Sequence, residues 1–133
     1  MLKYMLDTNI CIFTLKNRPL HLRDTFVNHH GQMCISTVSW MELVFGAEKS
    51  AFPERNLADI EGFAARLDVL PYDRQAAEHT GQLRAELARI GKPIGPYDLM
   101  IAGHARAQGL TLVTNNLREF ERTPGLRLED WSR

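Results

Sequence analysis

Two cysteines in 133 residues exclude a disulfide-built scaffold, and Cys11 and Cys34 form no Cys-x-x-Cys pair and have no histidine at zinc-like spacing. They read as reduced, buried thiols of a cytosolic protein. An excess of charge is also missing. Sixteen Lys and Arg balance sixteen Asp and Glu, so the broad basic footprint that grips a nucleic-acid duplex is absent, and only a local patch remains available for such a partner. No apolar run approaches the roughly 20 residues that cross a bilayer. The N-terminus lacks the charged start and cleavage site of a secretory signal, and no repeat, low-complexity tract or Gly/Ser/Pro linker divides the chain. The expectation is one cytoplasmic domain over residues 1–133, in which 44% apolar residues suffice for a core.

What is present alternates between short apolar strands and helices. LKYML at 2–6 reads as a central strand, and DTN then offers cap residues for a helix through NICIFTLKN. Pro19 is expected to open a second helix, LHLRDTFVNHH, stopped by Gly31 before the strand QMCIS. Ser36, Thr37 or Ser39 can cap WMELVFGAEKSA, and Pro53 starts a further helix that LDVLPY follows as a strand. DRQAAEHTGQLRAELARI and the stretch from Pro96 to Gln108 are two more helices; LTLVT is the last central strand, and RLEDW adds an edge strand. This order predicts an α/β fold, a three-layer α/β/α sandwich around a central parallel sheet with right-handed crossovers.

Ligands of such sheets gather at the carboxyl ends of the strands, and acids fall there. Asp7 follows the first strand without a spacer, Glu42 lies about a helical turn past QMCIS, Asp98 sits in the first turn of the helix opened by Gly95 and Pro96, and Glu119 lies shortly after LTLVT. Each has an ordinary explanation as a helix-start residue. Asp7 can be a simple cap, Ser39-x-x-Glu42 matches the capping box, and Asp98 and Glu119 suit a helix dipole. Capping alone does not explain why separate acids collect where strands end.

Carboxylates brought together repel unless a cation neutralises them. An all-oxygen donor set without His or Cys selects a hard ion, Mg²⁺ or Mn²⁺, in an open site with waters that a phosphate can displace; no EF-hand spacing is present for calcium. Phosphodiester cleavage is the first chemistry such a site suggests.

The blocks MLDTNI, TVSWMELVFGAEKS, IGPYDLMIAGHA and VTNNLREFERTPGL resemble, in order and over essentially the whole chain, the four motif blocks of the PIN-domain nucleases, and more closely those of the VapC toxins of VapBC toxin–antitoxin systems of the enteric, plasmid-borne kind. That resemblance implies a Mg²⁺-dependent endoribonuclease held inactive by a VapB antitoxin, acting on tRNA, with initiator tRNA cut in its anticodon loop as the expected substrate. It also implies a homodimer that forms a larger complex with the antitoxin. Carried over by position, Asp7, Glu42 and Asp98 hold the metal. The fourth block departs from the commoner pattern, with neutral Asn116 where many members place an acid and Glu119 in the last place of an Asn-x-x-acid version. Thr8, Ser39, Thr114 and Asn116 are expected to orient these carboxylates or a water between them and the metal.

Arg84, Arg89, Lys92 and Arg118 are candidates for gripping RNA, against the plainer reading of solvated surface charge. Ser36 and Ser39 lack a nucleophile-elbow setting, and His104 is expected to be structural. A metal-dependent phosphatase or a structure-specific nuclease on the same acids, and a non-catalytic binding module, are the rival readings. A dehalogenase-like phosphatase wants an acid where Asn9 stands, and a binding module has no need of the acids. The hairpin begun by WMELVFGA is apolar enough to offer a groove to a partner helix or a second copy.

Overall fold

A computed structural model describes residues 1–133. The elements run β1 Tyr4–Leu6, α1 Thr8–Leu15, α2 His21–Asn28, β2 Met33–Ser36, α3 Thr37–Glu48, α4 Pro53–Ala64, β3 Asp68–Leu70, α5 Arg74–Arg89, α6 Pro96–Ala107, β4 Thr111–Val113, α7 Leu117–Phe120 and β5 Leu128–Glu129. The five strands form one sheet in the order β3-β2-β1-β4-β5, and every pairing is parallel. The expected three layers are present, with RLEDW supplying the edge strand.

Strand alternation divides the core. Leu6, Ile35 and Val113 face one layer with Ile10, Leu22, Phe26, Leu43 and Phe63 from α1 to α4. Their neighbours Met5, Cys34 and Leu112 face the other with Leu83, Leu87, Ile101, Ala102 and Ala105 from α5 and α6. Cys11 and Cys34 are free and completely buried. Burial pushes the Cys34 thiol to about 12 and the Cys11 thiol well above its ordinary value, so both act as small apolar groups.

The α5 and α6 helices meet closely at Gly103. A Cβ there would lie 2.7 Å from the backbone N and Cα of Thr80, so only glycine lets the backbones approach. One boundary differs from expectation: Pro19 precedes α2 instead of opening it, and the helix begins at His21. Of the three candidate caps of α3, Ser36 takes the role, accepting from Val38 N at 3.0 Å. No helix is long and apolar enough to cross a membrane.

Candidate active site

Asp7 is fixed from both sides. Its N–H donates to Val113 O at 2.9 Å, continuing the ladder between β1 and β4, and its Oδ1 accepts from Ile10 N at 2.9 Å as the cap of α1. The capping role is therefore real, and it aims the carboxyl along the carboxyl edge of the sheet. Asp7 is 3% exposed. Burial raises it from 3.8 to about 6, opposed by a hydrogen bond from Thr114 and the Ile10 N–H; the charges of Glu42 and Asp130 raise it further.

Glu42 does not close a capping box. Because α3 starts at Thr37, Ser39 lies inside the helix and is fully buried. The Thr8 hydroxyl donates to Glu42 Oε1 at 2.6 Å and is hydrogen-bonded to Ser39 Oγ at 3.1 Å. The two hydroxyls thus tie α1 to α3 and orient the carboxylate.

Asp98 makes no cap bond; Gly95 is the N-cap of α6 without a side-chain contact. Asp98 is raised from 3.8 to about 7, first by burial, then by the charge and carboxyl contact of Glu119, then by Asp7 and Glu42. Glu119 is held by Asn116, whose Nδ2 donates to Glu119 Oε2 at 2.7 Å while its Oδ1 accepts from Glu119 N at 3.3 Å. Thr114 Oγ1 in turn accepts from Asn116 N at 3.0 Å. Asn115, between them, has its Oδ1 buried without a partner. The four acids therefore sense one another electrostatically, and none forms an ion pair with a Lys or Arg.

That uncompensated repulsion and the oxygen-only donor set fit a hard divalent cation. No three acidic, His or Cys side chains already stand in a chelate arrangement. The fit is thus to an ion that keeps several waters and takes one or two carboxylates directly, as Mg²⁺ does. Asp7, buried, and Asp98, half-buried, could contact such an ion directly, and Glu42 and Glu119, each held by a neighbour's hydrogen bond, could do so through water.

The remaining residues divide. Arg84 and Arg89 lie exposed on α5, Lys92 is exposed in the segment leading to Asp98, and Arg118 is exposed on α7 beside Glu119. Only Arg118 and Lys92 are close in the chain to the acids. His104 is buried, with Nδ1 2.8 Å from Ser36 Oγ and its ring edge-on to Tyr72, and burial lowers its pKa from 6.5. Its role is structural. One acid was not anticipated: Asp130, next after β5, has a side chain only 5% exposed.

A groove of ≈ 870 Å³ opens beside Glu42, lined by Ile12, Leu15, Phe26, Leu43 and Phe63 from α1 to α4 and fringed by Arg23 and Arg66.

A family model described as PIN domain matches residues 4–126. The chain is 68% identical to a tRNA(fMet)-specific endonuclease VapC of Shigella flexneri, over 99% of this chain and all of that one. It is 54% identical to ribonuclease VapC2 of Haemophilus influenzae, over 98% of this chain and 99% of that one. Among solved structures it superposes with TM-score 0.95 and 67% identity on the crystal structure of DNA-bound VapBC from Salmonella typhimurium, covering 98% of this chain and 99% of that one.

Proposed function

Since the chain belongs to the PIN-domain family and to its VapC endonucleases, we propose that it is the toxin of a VapBC pair, a Mg²⁺-dependent endoribonuclease that cuts initiator tRNA in the anticodon loop and so stops translation. The observation that carries the chemistry is the gathering of carboxyls without a counter-charge. Burial first, and neighbouring acids after it, raise Asp7 to about 6 and Asp98 to about 7, and no Lys or Arg forms an ion pair with either.

A bound Mg²⁺ supplies neutralisation of the scissile phosphate and activation of a water. The chain's own groups do the rest. Asp7 and Asp98 hold the cation, and Thr114 and the Ile10 N–H keep the Asp7 carboxyl from rotating. Thr8 fixes one oxygen of Glu42 and Asn116 one oxygen of Glu119, leaving the second oxygen of each free to accept from a water. Arg118 and Lys92 are placed to contact flanking phosphates, and acids fixed at the end of β1 and on α3, α6 and α7 give the reacting phosphate a rigid seat.

The antitoxin, in this reading, lays an apolar segment into the groove of α1 to α4, whose mouth includes Glu42. The similarity to solved VapBC complexes supports an antitoxin partner for this chain. The test is incubation of purified protein with total tRNA and Mg²⁺, against EDTA and Asp7→Ala controls. Discrete cleavage abolished by both controls is expected; cleavage that survives both overturns the mechanism. Growth arrest on expression, relieved by the cognate antitoxin, separates a toxin from a phosphatase or a passive binder.

A further inference from the structure

The C-terminal segment is built into the sheet. Thr114 N donates to Glu129 O at 2.9 Å and Leu112 N to Arg127 O at 2.9 Å, so β5 ends at the same edge as β4. Trp131 then locks the segment down. Its indole stacks on His29 at 4.4 Å between ring centres and meets Tyr4 edge-on at 5.0 Å, its carbonyl is 3.1 Å from His21 Nε2, and its Nε1 donates to Glu129 Oε1 at 3.0 Å. Between these anchors stands Asp130. Its Oδ1 accepts from Ser132 N at 2.8 Å and from Ser132 Oγ at 2.5 Å, and its Oδ2 lies 3.3 Å from Arg133 Nε. A carboxyl this buried is costly unless it is held, and here it is held on both oxygens. The mechanism above gives it no task.

We infer that Asp130 is a positioning residue of the metal site, a fixed negative charge beyond the first four acids that deepens the potential drawing the cation to Asp7. The inference rests on the metal-dependent reading of this site. The strand register sets the two acids at one level: Leu6 pairs with Val113 and Val113 with Glu129, so Asp7, Thr114 and Asp130, each the next residue after its strand, share the carboxyl edge. The ion-pair partner of Asp130, Arg133, has a side chain 78% exposed, so that pairing is screened and leaves much of the Asp130 charge uncancelled.

The two residues of the pair make opposite predictions. Asp130→Asn keeps an oxygen for Ser132 and removes the charge, and Arg133→Ala keeps the charge and removes its counter-ion. Binding of Mn²⁺ alone is read by electron paramagnetic resonance at low ionic strength, with no RNA present. Asp130→Asn is expected to weaken Mn²⁺ binding by about three- to ten-fold, and Arg133→Ala to tighten it by about two-fold, both effects shrinking at high salt. A purely structural role would move both variants in the same direction or neither. Unchanged affinity in a folded Asp130→Asn, or a shift of equal sign in both variants, overturns the inference. Arg133→Ala changes an exposed side chain and remains a test if Asp130→Asn does not fold; unchanged or weakened Mn²⁺ affinity then overturns the inference. Asp7→Asn sets the reference. If the wild type shows no Mn²⁺ binding sensitive to Asp7→Asn, the metal reading itself falls, an outcome distinct from a normal Asp7 response with a silent Asp130.

Discussion

Asp98→Asn is expected to abolish cleavage and yet stabilise the cation-free protein at pH 8. Burial and the charges of Glu119, Asp7 and Glu42 raise Asp98 from 3.8 to about 7. A carboxyl raised by folding contributes most below its unfolded value, near 3.8, and the contribution is lost as pH rises through about 7. Above that pH the fold carries the full cost of ionising it. A shift of roughly three units corresponds to at most about 4 kcal/mol; partial exposure, and repulsion shared with Glu119, reduce the expected gain to about 1–2 kcal/mol. Asparagine keeps the shape and removes the charge. Urea unfolding in EDTA reads the effect, with the variant more stable by that amount at pH 8 and the gap closing towards pH 4. The difference between the two proteins cancels His104, whose lowered pKa acts the other way, costing stability as pH falls below 6.5. Millimolar Mg²⁺ should raise the stability of the wild type alone. A variant no more stable than wild type at pH 8, or a gap independent of pH, would refute the electrostatic reasoning.

Three further outcomes are expected. Glu119→Gln retains the Asn116 contact in part and should slow tRNA cleavage less than Asp7→Asn does; an equal or larger loss in initial rate would place Glu119 directly on the metal. Thr8→Val removes the donor to Glu42 Oε1 at constant volume and should lower the cleavage rate about ten-fold, with some loss of melting temperature because the buried Ser39 hydroxyl loses its partner; a normal rate in the folded variant would deny Glu42 its need for orientation. Gly103→Ala forces a methyl against the Thr80 backbone and should cost about 1–3 kcal/mol by denaturant unfolding. Because that contact is with backbone, Thr80→Ala should not rescue it.

Much of this was legible in the residues because chain order and sheet edge coincide. Asp7 has no spacer after an apolar strand, and Gly95-Pro96 marks a helix start that puts Asp98 one turn in. For Glu42 the ordinary alternative, a capping box, is not what the structure holds. Ser39-x-x-Glu42 has the spacing of a capping box, but Ser36 caps first, and the helix then turns Ser39 into the core and Glu42 towards Thr8. Local pattern cannot reveal that exchange, since the competing hydroxyl arrives from α1, some thirty residues earlier. Asp130 was missed because an acid after a two-residue strand looks like a polar tail; only the parallel pairing of β4 and β5 puts it on the functional edge. The gap between Leu15 and His21 was misjudged because Pro19 is equally at home in a turn.

The division of labour within β1 has a consequence for how this chain can vary. Met5 serves one core, Leu6 the other, and Asp7 comes next, so the site's position is a matter of counting. Exchanging Met5 or Leu6 for a residue of similar volume disturbs one layer modestly. Adding or removing a single residue reverses which side chain meets which layer and carries the carboxyl off the edge as well. Divergence of this protein should therefore be generous in spelling and strict in length between Tyr4 and Thr8, with insertions confined to turns such as 16–20 and 49–52, where no acid depends on the count.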